Sequence, residues 1–419
     1  MTEFDSVVRS RCVVAPEGVG PLSVGIRDGR IEAVDDYAAP MPAREVTDLE
    51  DVALLPGAVD VGTGVHEPGH DLAACYRRAG EAALRGGVTT LVAAPAPARP
   101  PVACADSLQV HQRAAVGTGV SVYFLGGVTR GSGPLDLADL RAAGVVAFHC
   151  SLSDGGAPDL AALDDPQLRK AMAELAALDT VLLVHAEDAA ELGTPPVSAE
   201  QRPATAERRG MERVIAAARV AGARTHVTPF TAAECAALLA AAGSVGVGLT
   251  AQTCPHYLCL SAQTPGAEPW AHVCRPPLRS DANRRALWSA LLAEGASPCG
   301  SAITTVGSGH LPSHGLFTLA WSLSALWTAA RGRGRGLADL ARWTAGAPAE
   351  LLGLVGKGRI AVGCDADLVA FDPVHRVTVP PTDPGPYAGR ELAGSVGPVW
   401  VSGRRVPRPE AVTGVEPTA

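Results

Sequence analysis

Apolar and polar residues alternate near both ends of the chain. In the first 50 residues, CVV and LSVGIRDGRIEAV follow this pattern, and Asp28-Gly29 stands where the chain must reverse. This is typical of a β-hairpin. Similar segments return near the C-terminus as GRIAVGCDADLVAFDP, HRVTV and VWVSGRRV. We predict that residues 1–53 and 346–408 pack together as one small β-sandwich, followed by a flexible tail at 409–419.

A different pattern occupies residues 54–345. Short apolar runs alternate there with Ala-, Leu- and Arg-rich amphipathic stretches such as AACYRRAGEAALRGG. Eight strand–helix units predict an α/β fold, a (β/α)₈ barrel of the TIM type, whose functional site lies at the C-terminal ends of the strands. The eight runs are GAVDVG, GVTTLVAAP, GVSVYFLGGV, GVVAFHC, TVLLVHAE, RTHVTP, VGVGLTAQ and SAITTVGSG.

Composition and charge restrict the class of protein. The 35 basic and 43 acidic residues give a formal net charge of −8, which argues against a nucleic-acid binder. The uncharged run 235–255 is long enough to span a membrane, but its glycines favour a short helix followed by a buried strand. We expect a cytoplasmic protein with no membrane segment. The N-terminus lacks an apolar signal core, and the ten scattered cysteines form no CxxC pair.

Sequence motifs at the predicted strand ends resemble those of cyclic amidohydrolases, the dihydroorotases, hydantoinases and allantoinases. LLPGAVDVGTGVHEPG is similar to their first-strand motif, VHAED to the fifth, and QTCPHYL to E-T-C-P-H-Y-L. RPPLR resembles N-P-P-L-R, GHLP resembles D-H-x-P, and YAGRELAGSV is most similar to allantoinases. The resemblance covers nearly the whole chain. It implies an amidohydrolase-superfamily barrel that hydrolyses a cyclic amide with water held between two divalent metal ions.

The metal-ligand positions implied by this resemblance are mostly replaced. The family's first-strand D-x-H-x-H has Gly62 and Gly64 in place of its histidines. His149 stands where the fourth strand would carry a bridging carboxylated lysine. Neither glycine can coordinate a metal, so both first-strand ligands are lost.

The remaining positions show one match. The fifth strand keeps His185, but Pro229 replaces the sixth-strand histidine, and Gly309 replaces the aspartate before His310. In the family that aspartate is both a ligand and a proton shuttle, and glycine can do neither. We therefore expect no metal cofactor in the usual two-metal arrangement.

The lysine count limits how the centre could be rebuilt. Lys170 and Lys357 are the two lysines in the chain. Lys170 lies in an amphipathic stretch and Lys357 in the C-terminal β-rich segment, so no lysine is expected at a barrel strand end.

Several polar residues are still expected around the barrel mouth. We assign candidate catalytic roles to His149, His185 and His310, which suit acid–base chemistry or anion binding. Candidate substrate-binding residues are His66, Gln252, Arg279 and Ser308. His70, Glu187 and Asp188 are also expected near the pocket. Strand alternation argues against a Cys150–His149 nucleophile pair, because neighbouring residues face opposite sides.

Three functional interpretations remain open. The first is a noncatalytic pseudoenzyme that stabilises a partner, such as a catalytic paralogue or a transferase subunit. The second is a repurposed pocket for a small cyclic amide or ureide-like ligand. It would work without metal, or with a single zinc held by His149, His185 and His66. The third is ordinary cyclic-amide hydrolysis with a compensating site. The family resemblance also implies a homodimer or tetramer.

Overall fold

The N-terminal strands of the computed structural model include the predicted hairpin. The structure describes residues 3–153, 160–193, 201–293 and 302–407, so the predicted tail 409–419 lies outside them. Asp28 and Gly29 both have positive φ angles and form the tight turn of the hairpin. The strands are β1 (Phe4–Ala15), β2 (Gly18–Arg27), β3 (Arg30–Asp36), β4 (Ala43–Asp48) and β5 (Ala53–Pro56).

The predicted barrel is confirmed by parallel strands arranged in chain order. In the described part of the chain they number eight, and each pairs with the next in parallel. Each corresponds to one of the apolar runs. They are β6 (Ala58–Thr63), β7 (Val88–Ala93), β8 (Ser121–Gly127), β9 (Ala147–Ser151), β10 (Val181–His185), β11 (Arg224–Val227), β12 (Leu249–Thr253) and β13 (Ile303–Val306).

Contacts between the first and last barrel strands bring the two edges together. The Asp60 carboxylate accepts hydrogen bonds from the backbone N–H and the hydroxyl of Ser308. The Gly64 N–H donates to the His310 carbonyl oxygen over 2.8 Å. These bonds join the end of β6 to the segment after β13, at the C-terminal end of the barrel.

The C-terminal strands complete one mixed sheet with the N-terminal ones. They are β14 (Leu368–Thr378), β15 (Glu391–Val401) and β16 (Arg404–Val406). The order is β16-β15-β14-β5-β1-β2-β3, with β4 beside β1. The two ends of the chain therefore associate as predicted, and their strands form a single hydrogen-bonded sheet.

Two domain boundaries differ from the prediction. Strand β5 pairs with β1 and β14, so the terminal sheet continues past the predicted boundary at 53. Leu54 packs in the core of this sheet, whereas Leu55 joins the barrel core. At the other boundary, Ala349 and Leu352 pack against apolar side chains inside the barrel, so residues after 345 still belong to it.

Helices follow most barrel strands and bury one face each. Helix α1 (Leu72–Arg85) begins at Asp71, whose carboxylate accepts a hydrogen bond from the Ala74 N–H, and buries a stripe that includes Cys75 and Tyr76. The others are α2 (Ala105–Ala114), α3 (Pro134–Ala143), α4 (Asp165–Ala177), α5 (Ala204–Ala221), α6 (Ala236–Ser244), α7 (Pro255–Cys259), α8 (Glu268–Val273), α9 (Asp281–Leu292), α10 (Ser322–Arg331), α11 (Leu337–Ala341) and α12 (Ala347–Leu351). Short 3₁₀ turns span Ala189–Glu191, Ala233–Cys235, Pro312–His314 and Leu319–Trp321, and a π-turn spans Arg342–Gly346.

The uncharged run at 235–255 forms helix α6 and strand β12, as its glycines predict. Within the described ranges, no helix has the length and apolar character needed to cross a membrane.

Side chains inside the barrel leave one end open for a site. Val61, Leu125, Ala147 and Leu183 form an apolar layer with helix α12, which closes the N-terminal end. The polar residues therefore collect at the opposite end, where the strands finish.

Candidate functional site

A cavity of about 140 Å³ lies at the C-terminal end of the barrel. This volume holds several water molecules or a small organic ligand. Its polar lining includes histidines from strand ends and from the segments that follow them, together with two arginines. These residues are His149, His185, His256, His310, His314, Arg202 and Arg275.

His149 and His185 reach the cavity from neighbouring strands. His149 lies opposite Leu183 in the β9–β10 ladder, and both share the inner face, whereas Cys150 packs in the core outside the barrel. This confirms the expectation that Cys150 faces away from His149. Burial, and then the charge on His185, lowers the pKa of His149 to about 4, so His149 is neutral at pH 7.

A buried chain of polar contacts holds His185. Its Nε2 lies 2.9 Å from Oε2 of Glu187, and Nε of Arg202 donates to Oε1 of Glu187 over 3.1 Å. Burial alone would raise the pKa of Glu187, but the hydrogen bond and charge of His185 and the Arg202 guanidinium hold it below its ordinary value. Glu187 is therefore ionised, and Nε2 of His185 donates a hydrogen bond to its carboxylate.

The contacts of His310 fix its tautomer. Its Nδ1 accepts hydrogen bonds from the backbone N–H groups of Thr318 and Leu319, at 3.1 and 3.4 Å. Burial lowers the pKa of His310 to about 3, so the ring is neutral. Because Nδ1 is an acceptor, the proton of the neutral ring is on Nε2. A ligand at this nitrogen would therefore meet a hydrogen-bond donor.

Gln252 lines the cavity, but its amide already has partners inside the barrel. Nε2 donates to the Val61 carbonyl oxygen and to Thr228 Oγ1, both over 3.0 Å. Oε1 accepts from the hydroxyl of Thr305 over 3.3 Å. The side chain predicted to bind substrate therefore ties β12 to β6, to β13 and to Thr228, the residue that follows β11.

His256 is a cavity residue that is not among the candidate site residues chosen from the sequence. It is the second residue of helix α7, which begins after the buried Cys254, and its side chain is almost fully buried. Neither ring nitrogen has a hydrogen-bond partner among the residues that the structure describes. Burial lowers its pKa to about 3, so it is a neutral imidazole. Its motif, QTCPHYL, was noticed in the sequence, but nothing there indicates that the ring would reach the cavity.

Two of the three glycines at positions that correspond to the family's metal ligands are closely packed. An added Cβ at Gly64 would lie 2.8 Å from both the His310 carbonyl oxygen and Leu311 Cδ1. At Gly309, where φ is +66°, it would lie 2.7 Å from Cε1 of His256. By contrast, Gly62 has φ of +80° and no described heavy atom within 4 Å of that position. Two of the replaced positions are thus occupied by other groups of this chain.

Several predicted site residues lie away from the cavity. Arg279 is paired with the buried Glu207, with 3.0 Å between Nε and Oε1. Ser308 is used to bind Asp60, and Asp188 pairs with Arg213 over 3.0 Å. His66 is half-buried outside the cavity lining. His70, also expected near the pocket, is exposed and lies 4.0 Å from Glu67.

The donors around the cavity do not fit two divalent metal ions. Lys357 is bound to Asp365 and Asp367 in the C-terminal segment, and Lys170 is exposed. No described lysine therefore lies where a carboxylated bridge would be needed. The described residues also contain no group of three or more His, Cys, Asp or Glu side chains placed to hold an ion. The suggested zinc site of His149, His185 and His66 lacks His66 at the cavity.

The fold and the strand-end cavity define a TIM-barrel protein of the amidohydrolase type. The sequence profile of the Amidohydrolase family matches residues 40–406, so the chain belongs to this family. An allantoinase of Streptomyces avermitilis is 35% identical over 435 residues, covering 97% of this chain and 96% of the relative. An allantoinase of Rubrobacter xylanophilus is 32% identical, covering 97% and 95%.

Solved structures show the same fold. The L-hydantoinase (dihydropyrimidinase) of Arthrobacter aurescens superimposes with a TM-score of 0.87, at 24% identity and 96% coverage of both chains. The dihydropyrimidinase of Brevibacillus agri gives a TM-score of 0.83 at 25% identity, covering 96% of this chain and 95% of that one. The chain is therefore an allantoinase-like member of the Amidohydrolase family with the same fold as the solved hydantoinases.

Proposed function

We propose that this chain is a noncatalytic member of its family with respect to two-metal cyclic-amide hydrolysis. The observation that carries the proposal is the filled space at the replaced ligand positions. A side chain at Gly64 would meet Leu311 and the His310 carbonyl, and one at Gly309 would meet His256. A centre lost only through missing side chains would leave room for them.

The donor chemistry at the cavity supports the same proposal. His310 already uses Nδ1 as an acceptor of backbone N–H bonds. A histidine that binds metal through Nε2 normally donates its other ring N–H to a carboxylate or carbonyl. The contacts of His310 are the reverse, so it is a poor metal ligand in this arrangement.

The second candidate function is a repurposed ligand pocket, favoured by the cavity that remains. Its residues have not collapsed onto each other, although the ligand positions are filled. His149 is a neutral imidazole of the kind used for binding or proton transfer without a metal, and His185 lines the cavity beside it from the neighbouring strand. A small cyclic amide or ureide-like ligand is the first class to test, because two allantoinases are similar to this chain along nearly all its length.

Metal analysis combined with an activity panel tests the proposal. The full chain is produced with added zinc and assayed with hydantoin, dihydrouracil, dihydroorotate and allantoin, beside a His185→Ala variant as control. We expect well below one metal ion per chain and no turnover above that of the control. Near-stoichiometric metal with turnover that His185→Ala abolishes would overturn the proposal.

A further inference from the structure

A directional chain of hydrogen bonds lies beneath the cavity. The carbonyl oxygen of Val61 can only accept, so the Gln252 amide must turn its nitrogen toward it, over 3.0 Å. The same nitrogen donates its second N–H to Thr228 Oγ1, also over 3.0 Å. Oε1 of Gln252 is then the acceptor for the Thr305 hydroxyl, over 3.3 Å. One backbone carbonyl therefore fixes the direction of the bonds on both sides of Gln252.

His226 continues this chain toward the N-terminal end of the barrel. Because the Thr305 hydroxyl gives its hydrogen to Gln252, its oxygen accepts from Nε2 of His226, which lies 3.1 Å away. Burial lowers the pKa of His226 to about 3, so the ring is neutral and its other nitrogen is an acceptor. That nitrogen, Nδ1, lies 2.7 Å from Oγ1 of Thr250, whose hydroxyl donates to it. The polar atoms below Gln252 therefore support the orientation that the Val61 carbonyl sets.

Thr228 ends the chain at the cavity. It follows strand β11, in which His226 faces the barrel interior and Val227 packs in the core outside, so alternation turns the Thr228 side chain inward again. Thr228 lines the cavity and is 8% exposed. Its oxygen accepts from Gln252, and its hydroxyl hydrogen has no acceptor among the residues that the structure describes. A buried donor of this kind is costly unless a ligand or water supplies the acceptor.

The residue at position 252 decides where this hydrogen points. The related motif E-T-C-P-H-Y-L has Glu where this chain has Gln252. A carboxylate has no N–H to donate, so it would accept from the Thr228 hydroxyl and draw its hydrogen away from the cavity. The Gln252 amide reverses this bond. The Thr228 hydroxyl is therefore free to donate to a group inside the cavity.

We propose that Thr228 is the specificity-determining residue of the cavity and that its hydroxyl donates to a carbonyl oxygen of the ligand. A second donor in the same wall is Nε2–H of His310, whose Nδ1 accepts from the backbone. Two uncharged donors suit a carbonyl oxygen, which has two lone pairs. This inference rests on the second candidate function, a ligand pocket without two-metal chemistry, and it names the residue that selects the ligand.

Two probes of nearly the same shape test the role of the hydroxyl. Cyclopentanone carries a carbonyl oxygen, and methylenecyclopentane has a methylene group in its place. Threonine-methyl NMR titration of the full chain at pH 7 gives a dissociation constant for each probe. Thr228→Val keeps the shape of the side chain and removes the hydroxyl. It should weaken binding of cyclopentanone about threefold to tenfold relative to methylenecyclopentane, whereas Thr228→Ser should keep most of the wild-type ratio.

A further variant tests the direction of the hydrogen bond. Gln252→Glu keeps the Thr228 hydroxyl but draws its hydrogen away, so it should change the ratio of the two dissociation constants as Thr228→Val does. Thr225→Val, on the same strand but outside the cavity lining, is the matched control and should leave the ratio unchanged.

An unchanged ratio in Thr228→Val or in Gln252→Glu would overturn the inference, as would no binding of either probe to the wild-type chain. If Gln252→Glu does not fold, the comparison of Thr228→Val with Thr228→Ser still decides the question. Metal-dependent turnover of hydantoin would instead overturn the proposed function.

Discussion

The His256 ring fills the space at the cavity that a side chain on Gly309 would occupy. A Cβ at Gly309 would lie 2.7 Å from Cε1 of His256 and 2.8 Å from Sγ of Cys254. The family's aspartate at this position therefore cannot be restored by one substitution while His256 keeps its place. The absence of a side chain at position 309 and the position of the His256 ring are therefore linked.

Gly309→Asp tests this linkage. The substitution should reduce stability by about 1–3 kcal/mol, because φ of +66° is strained for any other residue and the side chain meets His256. Combining it with His256→Ala should recover part of the lost stability. The Gly309→Ala variant should lose only the stability that the backbone strain and the Cβ contact cost. Urea denaturation measures all three. No destabilisation of Gly309→Asp would contradict the account.

Alanine substitutions at Gly62 and Gly64 separate backbone strain from the lack of space for a side chain. Gly62→Ala should cost about 1–3 kcal/mol from its positive φ alone, because the described surroundings leave the Cβ position open. Gly64→Ala has no such strain but must displace Leu311 or the His310 carbonyl, so we expect a change in the segment after β13. Crystal structures of both variants show which atoms move. An unmoved Leu311 in Gly64→Ala would show that this position is not blocked.

Glu187→Gln should be among the most destabilising single substitutions at the site. It leaves the buried Arg202 without its carboxylate and puts an amide NH2 in place of one of the two oxygens that accept from Arg202 and His185. Removing one partner of a buried pair costs about 3–5 kcal/mol. Glu212→Gln, which breaks an exposed pair with Arg208, is the control and should cost less than about 1 kcal/mol. Similar losses of stability in both variants would mean that the buried pair contributes no more than an exposed one.

Buried neutral histidines should make the protein sensitive to acid. The pKa of His256 is about 3 when folded, below the ordinary value near 6.5, so between these values the unfolded chain binds more protons. Stability therefore falls as pH drops below about 6.5, by up to about 2 kcal/mol per such histidine at pH 5. His226 and His310, each with a pKa of about 3, act in the same direction.

His256→Leu isolates one of these contributions. Since neither ring nitrogen has a described partner, the free energy of unfolding of the variant at pH 7 should be close to or above that of wild type. Between pH 7 and pH 5, the free energy of unfolding of the variant should fall by up to about 2 kcal/mol less than that of wild type. Urea denaturation at both pH values makes the comparison. Identical pH dependence would contradict a neutral, buried His256.

The barrel could be predicted from sequence because the strands are short apolar runs, most of them bounded by glycine or proline. Strand alternation also placed His149 inside and Cys150 outside, as the structure has them. The domain boundaries were less accurate, because β5 has Leu54 in one core and Leu55 in the other. A strand shared by two cores shows no break in its apolar pattern.

The cavity wall was harder to predict than the strands. Arg202, Arg275 and His314 come from connecting segments far apart in the chain, and no periodic pattern marks them. Gln252 looked like a ligand-binding amide, but partners on β6, on β13 and directly after β11 use its polar atoms. Whether a polar group is free depends on contacts that only the folded chain reveals.

Zinc content measured together with hydantoin and allantoin turnover tests the central claim most directly. The full chain, purified after growth with added zinc, should hold far less than one zinc per chain and show no turnover above His185→Ala. One or two zinc ions per chain, with turnover lost on chelation and in His185→Ala, would contradict it.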